Sequence, residues 1–566
     1  LCLYWLEGGH AVRGIGGALI RALERMDAAY ARLLQGALRY RGLVIVSIMA
    51  VFASSFVLLR FIGTEFFPAS DEGQFSVTYK APIGTRVERT EELAARIEEI
   101  TAATLKTKAG EPEYAMMLAD NGLPGGRTAI FTSNTGPHVG NIQVGLVPKA
   151  ARRFTDVQAT ERVRAALNSE LPGINVFYFT GGIVKRILNF GAPAPIDVEV
   201  LGYDLEAGAE YARELARRLR EVRDASGAPL LTDVQITREE NYPELDVVVD
   251  RQKAGVLGLT EQQIAQTVLT SLVGNTQFSP IPFSDPATGN EYFINVRLAD
   301  PFRTNVSDLK DVFLRTPSGA TLPLSNVAHV ERGSGPVLIS RKYLQRIIDV
   351  TANVAPSTDL GAASDGVQRV LDDTPAPDGF TVKLAGQTLA QKQAFQGVGL
   401  AALMALALVY MVLASQFKSL LDPLVIMFSV PLGVSGVFAM LAATKTTLSV
   451  NSAMGIIMMV GIVVSNGVLL VDFANVLRRR GTPLVEATVL AAKTRLRPIL
   501  MTTIATVAGL VPMALGIGEG NEANLPLARA VIGGLGVSTV FTLFLIPSLY
   551  TVVDRFKRPA GERGHA

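Results

Sequence analysis

The sequence is poor in the residues that most catalytic and metal sites require. It has one cysteine, Cys2, which excludes internal disulfides and cysteine metal clusters. Its net charge of +2 gives no indication of nucleic acid as a partner. A nucleophile elbow, a P-loop and an HExxH motif are absent, so we expect neither an enzyme nor a cofactor. No metal site is expected either, because the four histidines lack metal-ligand spacing: His10, His138, His329 and His565.

Long apolar stretches, by contrast, are abundant. Six stretches of roughly 17–24 residues are each long enough to cross ~30 Å of hydrocarbon as a helix. They occupy 43–59, 397–415, 423–443, 453–471, 498–517 and 530–553. Their number disfavours the alternative of buried helices in a soluble core. About 340 mostly polar residues separate the first stretch from the second. The pattern predicts a protein of the lipid bilayer, with one large domain inserted between its first two spans.

Lys and Arg residues are unequally distributed between the two sides of these spans. The opposite loops, 444–452 and 518–529, carry only Lys445 and Arg529. Six crossings place the rich segments on one side, which the positive-inside rule makes cytoplasmic, so the large domain is expected outside. The rich segments contain Arg32, Arg39, Arg41, Arg478, Arg479, Arg480, Lys493, Arg495, Arg497, Arg555, Lys557 and Arg558.

The outer domain alternates strand and helix patterns. Residues 77–100 combine a period-2 strand, a Pro-Ile-Gly turn and an amphipathic helix, and similar patterns follow at 141–180 and 195–237. Repeated strand–helix–strand units are typical of sheets with helices on one side. Residues 243–335 instead have short strands between Pro, Gly and Asn turns, and 347–386 returns to the first pattern. The sequence therefore predicts α+β units, the last of which is split by a β-rich insertion.

Four groups of motifs carry a family resemblance and lie in order along the chain. They are TEFFPASDEGQF (64–75), VRLADPFR (296–303) with VFLRTPSGATLPLSNVAHV (312–330), GIVVSNGVLLVDF (461–473) and TRLRPILMTTIATVAGLVPMALG (494–516). The chain resembles the carboxyl-terminal half of a resistance-nodulation-division (RND) efflux permease of the hydrophobe/amphiphile exporter type. The implied fold is a multi-domain membrane protein: a transmembrane helical bundle plus α+β periplasmic porter subdomains, built from ferredoxin-like βαβ repeats, with a β-rich funnel insertion.

The resemblance also implies a division of the chain. The expected segments are 1–42, the end of a preceding transmembrane helix and a cytoplasmic helix or linker; 43–62, a transmembrane helix; 63–194, the first porter subdomain; 195–242 with 336–388, the second; 243–335, the funnel or docking subdomain; 394–556, a five-helix transmembrane bundle; and 557–566, a cytoplasmic tail.

The implied activity is proton-driven efflux of organic compounds by an inner-membrane permease of Gram-negative bacteria. The implied partners are the missing amino-terminal half of the permease, further copies in a homotrimer, a periplasmic adaptor protein and an outer-membrane channel. Metal or lipid export by the same architecture is an alternative. A second alternative is a membrane-anchored periplasmic receptor or secretion subunit that does not transport.

Polar residues within two predicted spans form two helical faces. At 100° per residue the members of each face lie close together in projection. Such faces could line a proton path, because ionisable groups in membranes are commonly functional. Close packing through small residues, with the charged side chains extending to the interface, explains the spacing equally well. The faces comprise Gly461, Ser465 and Asp472 in the fourth span, and Arg495, Thr502 and Thr506 in the fifth.

The resemblance adds roles to these positions. In most drug-exporting relatives a lysine in the fourth span of this half pairs with two aspartates of the other half. Here that position is Ser465, with Asn466 beside it, whereas the arginine and threonine of the next helix are kept as Arg495 and Thr502. The candidates for the proton relay are therefore Ser465, Asn466, Asp472, Arg495, Thr502 and Thr506.

Two residue types bear on the substrate. Metal-exporting relatives use methionines, whose soft thioethers suit Cu(I). Met116 and Met117 are consecutive in a strand-like segment, so at most one could face a channel, and core packing is favoured for both. Drug-exporting relatives line their cleft with aromatic residues, which favours an organic substrate here, although burial in the sheet core is the preferred alternative for these side chains. The cleft candidates are Phe131, Phe177, Tyr178 and Phe179.

Overall fold

The computed structural model describes residues 15–554, apart from 69, 108, 124–133, 190–191, 240, 277–278 and 519. The described part of the chain starts with two consecutive helices, α1 (Ile15–Arg39) and α2 (Arg41–Ser55). Helix α2 continues into a 3₁₀ segment, Phe56–Phe61, and the two together form the first helix long and apolar enough to span a membrane.

The first α+β subdomain (residues 74–188) is a four-stranded antiparallel sheet with helices on one face. Its strand order is β2-β3-β1-β4. Residues Phe75, Val77 and Tyr79 alternate along the first strand, and all three are buried in the core that the two long helices cover. The elements are β1 (Gln74–Lys80), α3 (Val87–Thr104), β2 (Tyr114–Asn121), β3 (Val139–Leu146), α4 (Asp156–Glu170), β4 (Asn175–Thr180) and α5 (Ile183–Leu188).

A second α+β unit starts with β5 (Ile196–Gly202), α6 (Leu205–Arg220) and β6 (Leu231–Ile236), and is then interrupted by an insertion (residues 242–335). The first and last strands of the insertion pair with each other, and the insertion has its own small core around Ile264, Leu324 and Val327. Its elements are β7 (Tyr242–Val249), α7 (Arg251–Val256), α8 (Glu261–Leu272), β8 (Ile281–Ser284), β9 (Glu291–Ile294), α9 (Val306–Lys310), β10 (Phe313–Arg315), β11 (Thr321–Pro323) and β12 (Ala328–Gly335).

The second α+β subdomain (residues 196–236 and 341–385) is completed after the insertion. Strand β14 pairs with β5 on one edge and with both β6 and β13 on the other, while β15 pairs with the free edge of β5. The order β6-β14-β5-β15 repeats the second-third-first-fourth order of the first subdomain. The two subdomains therefore share one topology. The completing elements are β13 (Arg341–Lys342), β14 (Gln345–Val354), α10 (Leu360–Asp372) and β15 (Thr381–Ala385).

The rest of the described chain is helical. Two short consecutive helices, α12 (Leu421–Met427) and α13 (Ser429–Ala443), together make one membrane-length span, Leu421–Ala443. Each predicted apolar stretch falls on a helix long and apolar enough to cross a membrane. The fifth stretch runs three residues past the end of its helix. Backbones of the bundle approach closely through small residues, since a Cβ added to Gly436 would lie 2.4 Å from the carbonyl oxygen of Gly533. The helices are α11 (Gly386–Phe417), α12 (Leu421–Met427), α13 (Ser429–Ala443), α14 (Val450–Arg479), α15 (Leu484–Ala514) and α16 (Leu525–Val553).

Helix α1 packs on this bundle. Its buried residues Tyr30, Leu34 and Leu38 recur every four positions and join the core formed by α14, α15 and α16. The hydroxyl of Tyr30 donates to the carbonyl of Leu543 at 2.7 Å. Beside it, Asp27 pairs with Arg497 at 2.7 Å, so α1 is fixed to two different helices.

A short connector (residues 63–67) fastens the outer part of the chain to the bundle. The amide of Leu448, just before α14, donates to the carbonyl of Gly63 at 2.8 Å. The hydroxyl of Thr447 donates to the Glu65 carboxylate at 2.9 Å. On the other side, the amide of Thr64 donates to Asp359, the residue before α10, at 2.9 Å. The connector is thus bonded to both the second α+β subdomain and the start of a membrane-length helix.

Candidate functional site

One face of α14 is exposed along most of its length. The exposed residues recur every three or four positions, as expected for one side of a helix. A polar side chain, Ser465, lies in the middle of this face and a second, Asp472, lies at its end, although the helix as a whole is apolar. We call it the open face of α14; it consists of Met454, Met458, Gly461, Ser465, Leu469 and Asp472. The structure therefore places the three fourth-span residues of the sequence prediction together on one exposed surface.

Helix α15 brings the hydroxyl of Thr502 close to Asn466, the residue next to Ser465 on α14. The Thr502 hydroxyl lies 3.5 Å from the amide oxygen of Asn466 and donates to the Ile499 carbonyl at 2.9 Å. Thr506 donates to the carbonyl of Thr502 at 2.9 Å. Of the six predicted relay residues, the structure thus brings Asn466 and Thr502 into contact across the two helices.

Arg495 and Asp472 are placed differently. The guanidinium carbon of Arg495 lies 5.0 Å from the centre of the Phe473 ring, within the range of a cation–π contact. Its buried Nε has no hydrogen-bond partner among the described residues. Asp472 is exposed on the open face. Within the described chain these two residues form no ion pair with each other, so no charge pair links the two polar faces that the spacing predicts.

Sequence reasoning missed a third polar helix. Asn466 is only 8% exposed and borders a small void that Ser538, Thr539 and Thr542 of α16 also line. The hydroxyls of Thr503 and Thr539 lie 3.0 Å apart. The signal that could have revealed this cluster is the polar spacing i, i+1, i+4 within the last apolar stretch.

A buried carboxylate near one end of the bundle was also missed. Asp422 is buried in the first turn of α12. The amide of Asn475 lies 3.4 Å from its carboxylate, and the Tyr550 hydroxyl donates to Asn475 at 2.7 Å. Three helices therefore share one polar network where an ionisable group is otherwise costly.

Outside the bundle, a cleft of about 290 Å³ lies between the two α+β subdomains. Its wall combines aromatic rings with charged groups of both signs. Burial lowers the pKa of the Lys185 ammonium despite the acids that face it, and burial raises the pKa of the Glu65 carboxyl. The aromatic and charged lining residues are Phe66, Phe67, Phe179, Glu65, Glu72, Glu161, Arg164 and Lys185.

A clamp crosses the rear of this cleft. Arg164 of α4 donates through both terminal nitrogens to Asp233 of β6, at 2.8 Å for the Nη2 contact. The amide of Asn353 donates to the same carboxylate at 2.9 Å and to the Tyr178 carbonyl at 2.6 Å. Arg164 also lies over the Tyr178 ring, 4.2 Å from its centre. These bonds join the two subdomains through the side chains of Arg164, Asp233 and Asn353.

The aromatic cleft candidates occupy different environments. Tyr178 is buried in the core beneath the helices, whereas Phe177 and Phe179 are buried together on the opposite face of β4. Only Phe179 of the three lines the cleft, and it also lines a neighbouring cavity of about 220 Å³. Phe131 lies outside the described residues. Phe177 and Tyr178 are therefore buried in the subdomain, whereas Phe179 is buried and also lines two cavities.

The paired methionines separate as strand alternation requires. Met116 is 60% exposed and lines the smaller cavity, whereas Met117 packs against the core of the first subdomain. Arg186 lines the same cavity, with its guanidinium carbon 5.3 Å from the centre of the Phe179 ring. That cavity has a single methionine among its described lining residues.

The comparison with protein families decides the identity of this architecture. The model of the AcrB/AcrD/AcrF family matches residues 11–554. The chain belongs to this family. The recognition of an RND permease from the sequence motifs is thereby confirmed, and so is the expected fold of a helical membrane bundle with α+β subdomains.

Individual relatives are similar to this chain over nearly its full length. The swarming motility protein SwrC of Bacillus subtilis (strain 168) is 27% identical over 560 residues, covering 96% of this chain and 49% of that protein. The multidrug resistance protein MdtC of Klebsiella pneumoniae (strain 342) is 26% identical over 546 residues, covering 96% and 50%. A crystal structure of a heavy metal efflux pump matches with a TM-score of 0.75 and 27% identity, covering 95% of this chain and 53% of that chain. The chain spans about half the length of the curated relatives it matches.

Proposed function

We propose that this chain forms one half of a proton-driven efflux permease that exports organic, amphiphilic compounds. The observation that carries the proposal is the connector. Glu65 lines the cleft between the α+β subdomains and accepts a hydrogen bond from Thr447, two residues before the N-cap of α14. This bond and the backbone bonds of Leu448 with Gly63 and Glu65 thus join the substrate cleft to the start of the helix with the open polar face, so we expect a shift of one to displace the other.

The cleft suits a substrate with both apolar and charged parts. Phe66, Phe67 and Phe179 offer ring faces and edges, while Lys185 and its acidic neighbours offer charges of both signs. A pocket of mixed apolar and polar lining is what small-molecule recognition requires. The clamp between Arg164 and Asp233 then sets the width of the cleft.

The open face of α14 is the proposed proton side. Polar residues in membrane spans face protein or water rather than lipid, so we propose that a polypeptide cover lies over Ser465 and Asp472 in the assembled permease. We assign that cover to the other half of a full-length permease, bearing the acids that take up protons. Asn466, Thr502, Thr506 and Arg495 would complete the hydrogen-bonded surroundings of those acids.

Proposed partners follow from an exposed arm of the insertion. All eight residues of the hairpin β8–β9 are exposed, and its apolar members include Ile281, Phe283, Phe293 and Ile294. An exposed apolar hairpin marks a contact surface. We propose that it docks on a neighbouring copy in a homotrimer. The insertion would face an adaptor protein and an outer-membrane channel, with the outer domain in the periplasm and the bundle in the inner membrane.

Metal export is the second candidate function. It is favoured by the likeness to the heavy metal efflux pump and by Met116, which is exposed in a cavity. Against it, a soft ion is held by several thioether or thiolate ligands, and Met116 is the single described methionine at this cavity.

Transport by the full-length permease containing this chain separates the two. In a host without endogenous pumps, we expect cells that express the permease to accumulate less ethidium than cells without it, and to have the same copper tolerance. Phe179→Ala should reduce ethidium export at least fivefold, and Met116→Ile should leave it unchanged. Copper tolerance that depends on Met116, with no effect on ethidium, would reverse the assignment of substrate.

A further inference from the structure

A cavity of about 580 Å³ lies against the sheet of the second α+β subdomain, on the face that α6 and α10 do not cover. Strands β5 and β14 form its floor, and the first turns of α11 and the segment 192–193 form its walls. This volume is in the range of pockets that hold drug-sized molecules. Asn189 contributes to both this cavity and the cleft described above, so the two are neighbours.

Three carboxylates occupy the floor of this cavity. Asp197 and Glu199 alternate with the core residues of β5, and Asp349 lies directly opposite Glu199 in the antiparallel register. Asp197 is 8% exposed and Glu199 is 3% exposed, and Thr351, opposite Asp197, is 1% exposed. Buried acids at such positions are expected to be paired with cations, because burying an unpaired charge is costly.

The pairing within the chain is incomplete. Glu199 bonds to Lys342 through one oxygen, and its other oxygen lies 3.6 Å from Lys383 without a hydrogen bond, so two ion pairs compensate its charge. By contrast, one oxygen of Asp197, one oxygen of Asp349 and the hydroxyl of Thr351 have no hydrogen-bond partner among the described residues. All three residues line the cavity, so its floor presents two acids and a hydroxyl with free acceptor positions.

The remaining wall indicates what kind of cation would fit. Pro193, Leu389 and Ala390 make the walls of the cavity partly apolar, and Ile347 adds an apolar side chain to the floor beside Asp349. The described residues include no group of three or more His, Cys, Asp or Glu side chains arranged to hold a metal ion. Acids spread along two strands beside an apolar wall match an extended organic cation better than a point charge.

We propose that this cavity is a binding site for organic amines with an apolar body, whose ammonium group lies at Asp197 and Asp349. The site goes beyond the proposed transport function and does not depend on it, because binding is measured without transport. If the protein binds amines but no efflux is measured, the amine site is supported and the proposed transport function is contradicted.

The protonation of the floor supports the assignment. Burial, together with the neighbouring acids, raises the pKa of Asp197 to about 7 and that of Asp349 to about 6, although Lys342 opposes the shift. A bound ammonium group lowers both pKa values, so binding releases protons and must weaken as the pH falls. The other charged groups around the two acids are Glu199, Arg341, Lys342 and Lys383.

The test uses dansylcadaverine, a fluorescent primary amine, and its N-acetyl derivative, which has no ammonium group. We expect saturable binding of the amine to the purified protein, weakened at least tenfold by Asp197→Asn and by Asp349→Asn. Glu210→Gln, an exposed acid on α6 of the same subdomain, is the matched control and should bind normally. The two amide variants should unfold at the same or a higher temperature than the parent, because each removes a buried charge.

The unsubstituted protein provides an independent readout. Between pH 8 and pH 5 the affinity for dansylcadaverine should fall at least fivefold, while binding of the N-acetyl probe stays constant. Equal affinity for the two probes, no saturable binding, or full affinity in both amide variants overturns the proposal.

Discussion

The clamp between Arg164 and Asp233 gives the sharpest prediction about how the cleft works. Asp233 has a positive φ of 52°, a conformation that asparagine adopts more readily than alanine, so Asp233→Asn removes the charge with little added backbone strain. The substitution weakens two charge-assisted hydrogen bonds from a guanidinium that is largely buried. Such bonds contribute about 1.5–3 kcal/mol.

The expected magnitude lies near the middle of that range. Arg164 keeps a second acidic partner, Glu161 at 3.1 Å, and the amide oxygen introduced by Asp233→Asn would still accept one hydrogen bond. We therefore expect a loss of about 2 kcal/mol in the closure of the two subdomains, which shifts the ratio of closed to open clefts about 30-fold.

Distances between electron-spin labels placed across the cleft measure this shift. Labels at Ser169 and Ser226, which are both exposed and belong to different subdomains, should give a longer and broader distribution in Asp233→Asn than in the parent. Glu161→Gln, which alters the more exposed partner, should change closure by less than about 1 kcal/mol and leave the distribution nearly unchanged. Superimposable distributions for the parent and Asp233→Asn would refute the idea that this clamp holds the cleft closed.

Four further predictions concern the membrane face, the buried acids and the orientation. Arg495→Ala in the full-length permease should abolish efflux while assembly is retained. Arg497→Ala should reduce only the free energy of unfolding, by about 1 kcal/mol, since the ion pair of Arg497 with α1 is partly exposed. Equal loss of efflux from both variants would contradict the assignment of Arg495 to the proton path. Ser465→Lys should assemble normally and move the pH profile of efflux to lower pH, because a cation lowers the pKa of facing acids; aggregation would show that no acids face it. Because the pKa of Asp197 is raised in the folded state, its contribution to stability is present below about pH 4 and is lost as the pH rises to about 7, so Asp197→Asn should flatten the stability profile over that window, as measured by urea unfolding. A cysteine introduced at Ser226, with Cys2 replaced by serine, should react with an impermeant thiol reagent in cells with a permeabilised outer membrane; labelling only after lysis would contradict the expected orientation.

The parts of the structure that depend on counting along the chain were accessible from the sequence. Apolar length located the six membrane-length helices, and period-2 and period-3.6 patterns located the split α+β unit. The shared face of Gly461, Ser465 and Asp472 follows from helical geometry alone.

The parts that depend on helix rotation and on distant pairing were not accessible. Whether Asn466 faces Thr502, Thr539 or lipid is set by packing between three helices rather than by spacing. The clamp joins residues 69 positions apart, and nothing local marks either of them as a partner. The strand pattern around Phe179 likewise predicts burial of its ring in the sheet core, whereas its access to two cavities depends on where the second subdomain lies.

The way the insertion is attached has a consequence for how such proteins diversify. Its entry and exit strands, β7 and β12, run side by side, with Tyr242 opposite Gly335. It leaves the second subdomain between β6 and β14, two strands that are already neighbours in the sheet. A segment whose ends meet in this way can be lengthened, shortened or exchanged without changing the order of any other strand. This branch point therefore lets the insertion change in sequence and length while the cleft and the helical bundle keep their arrangement.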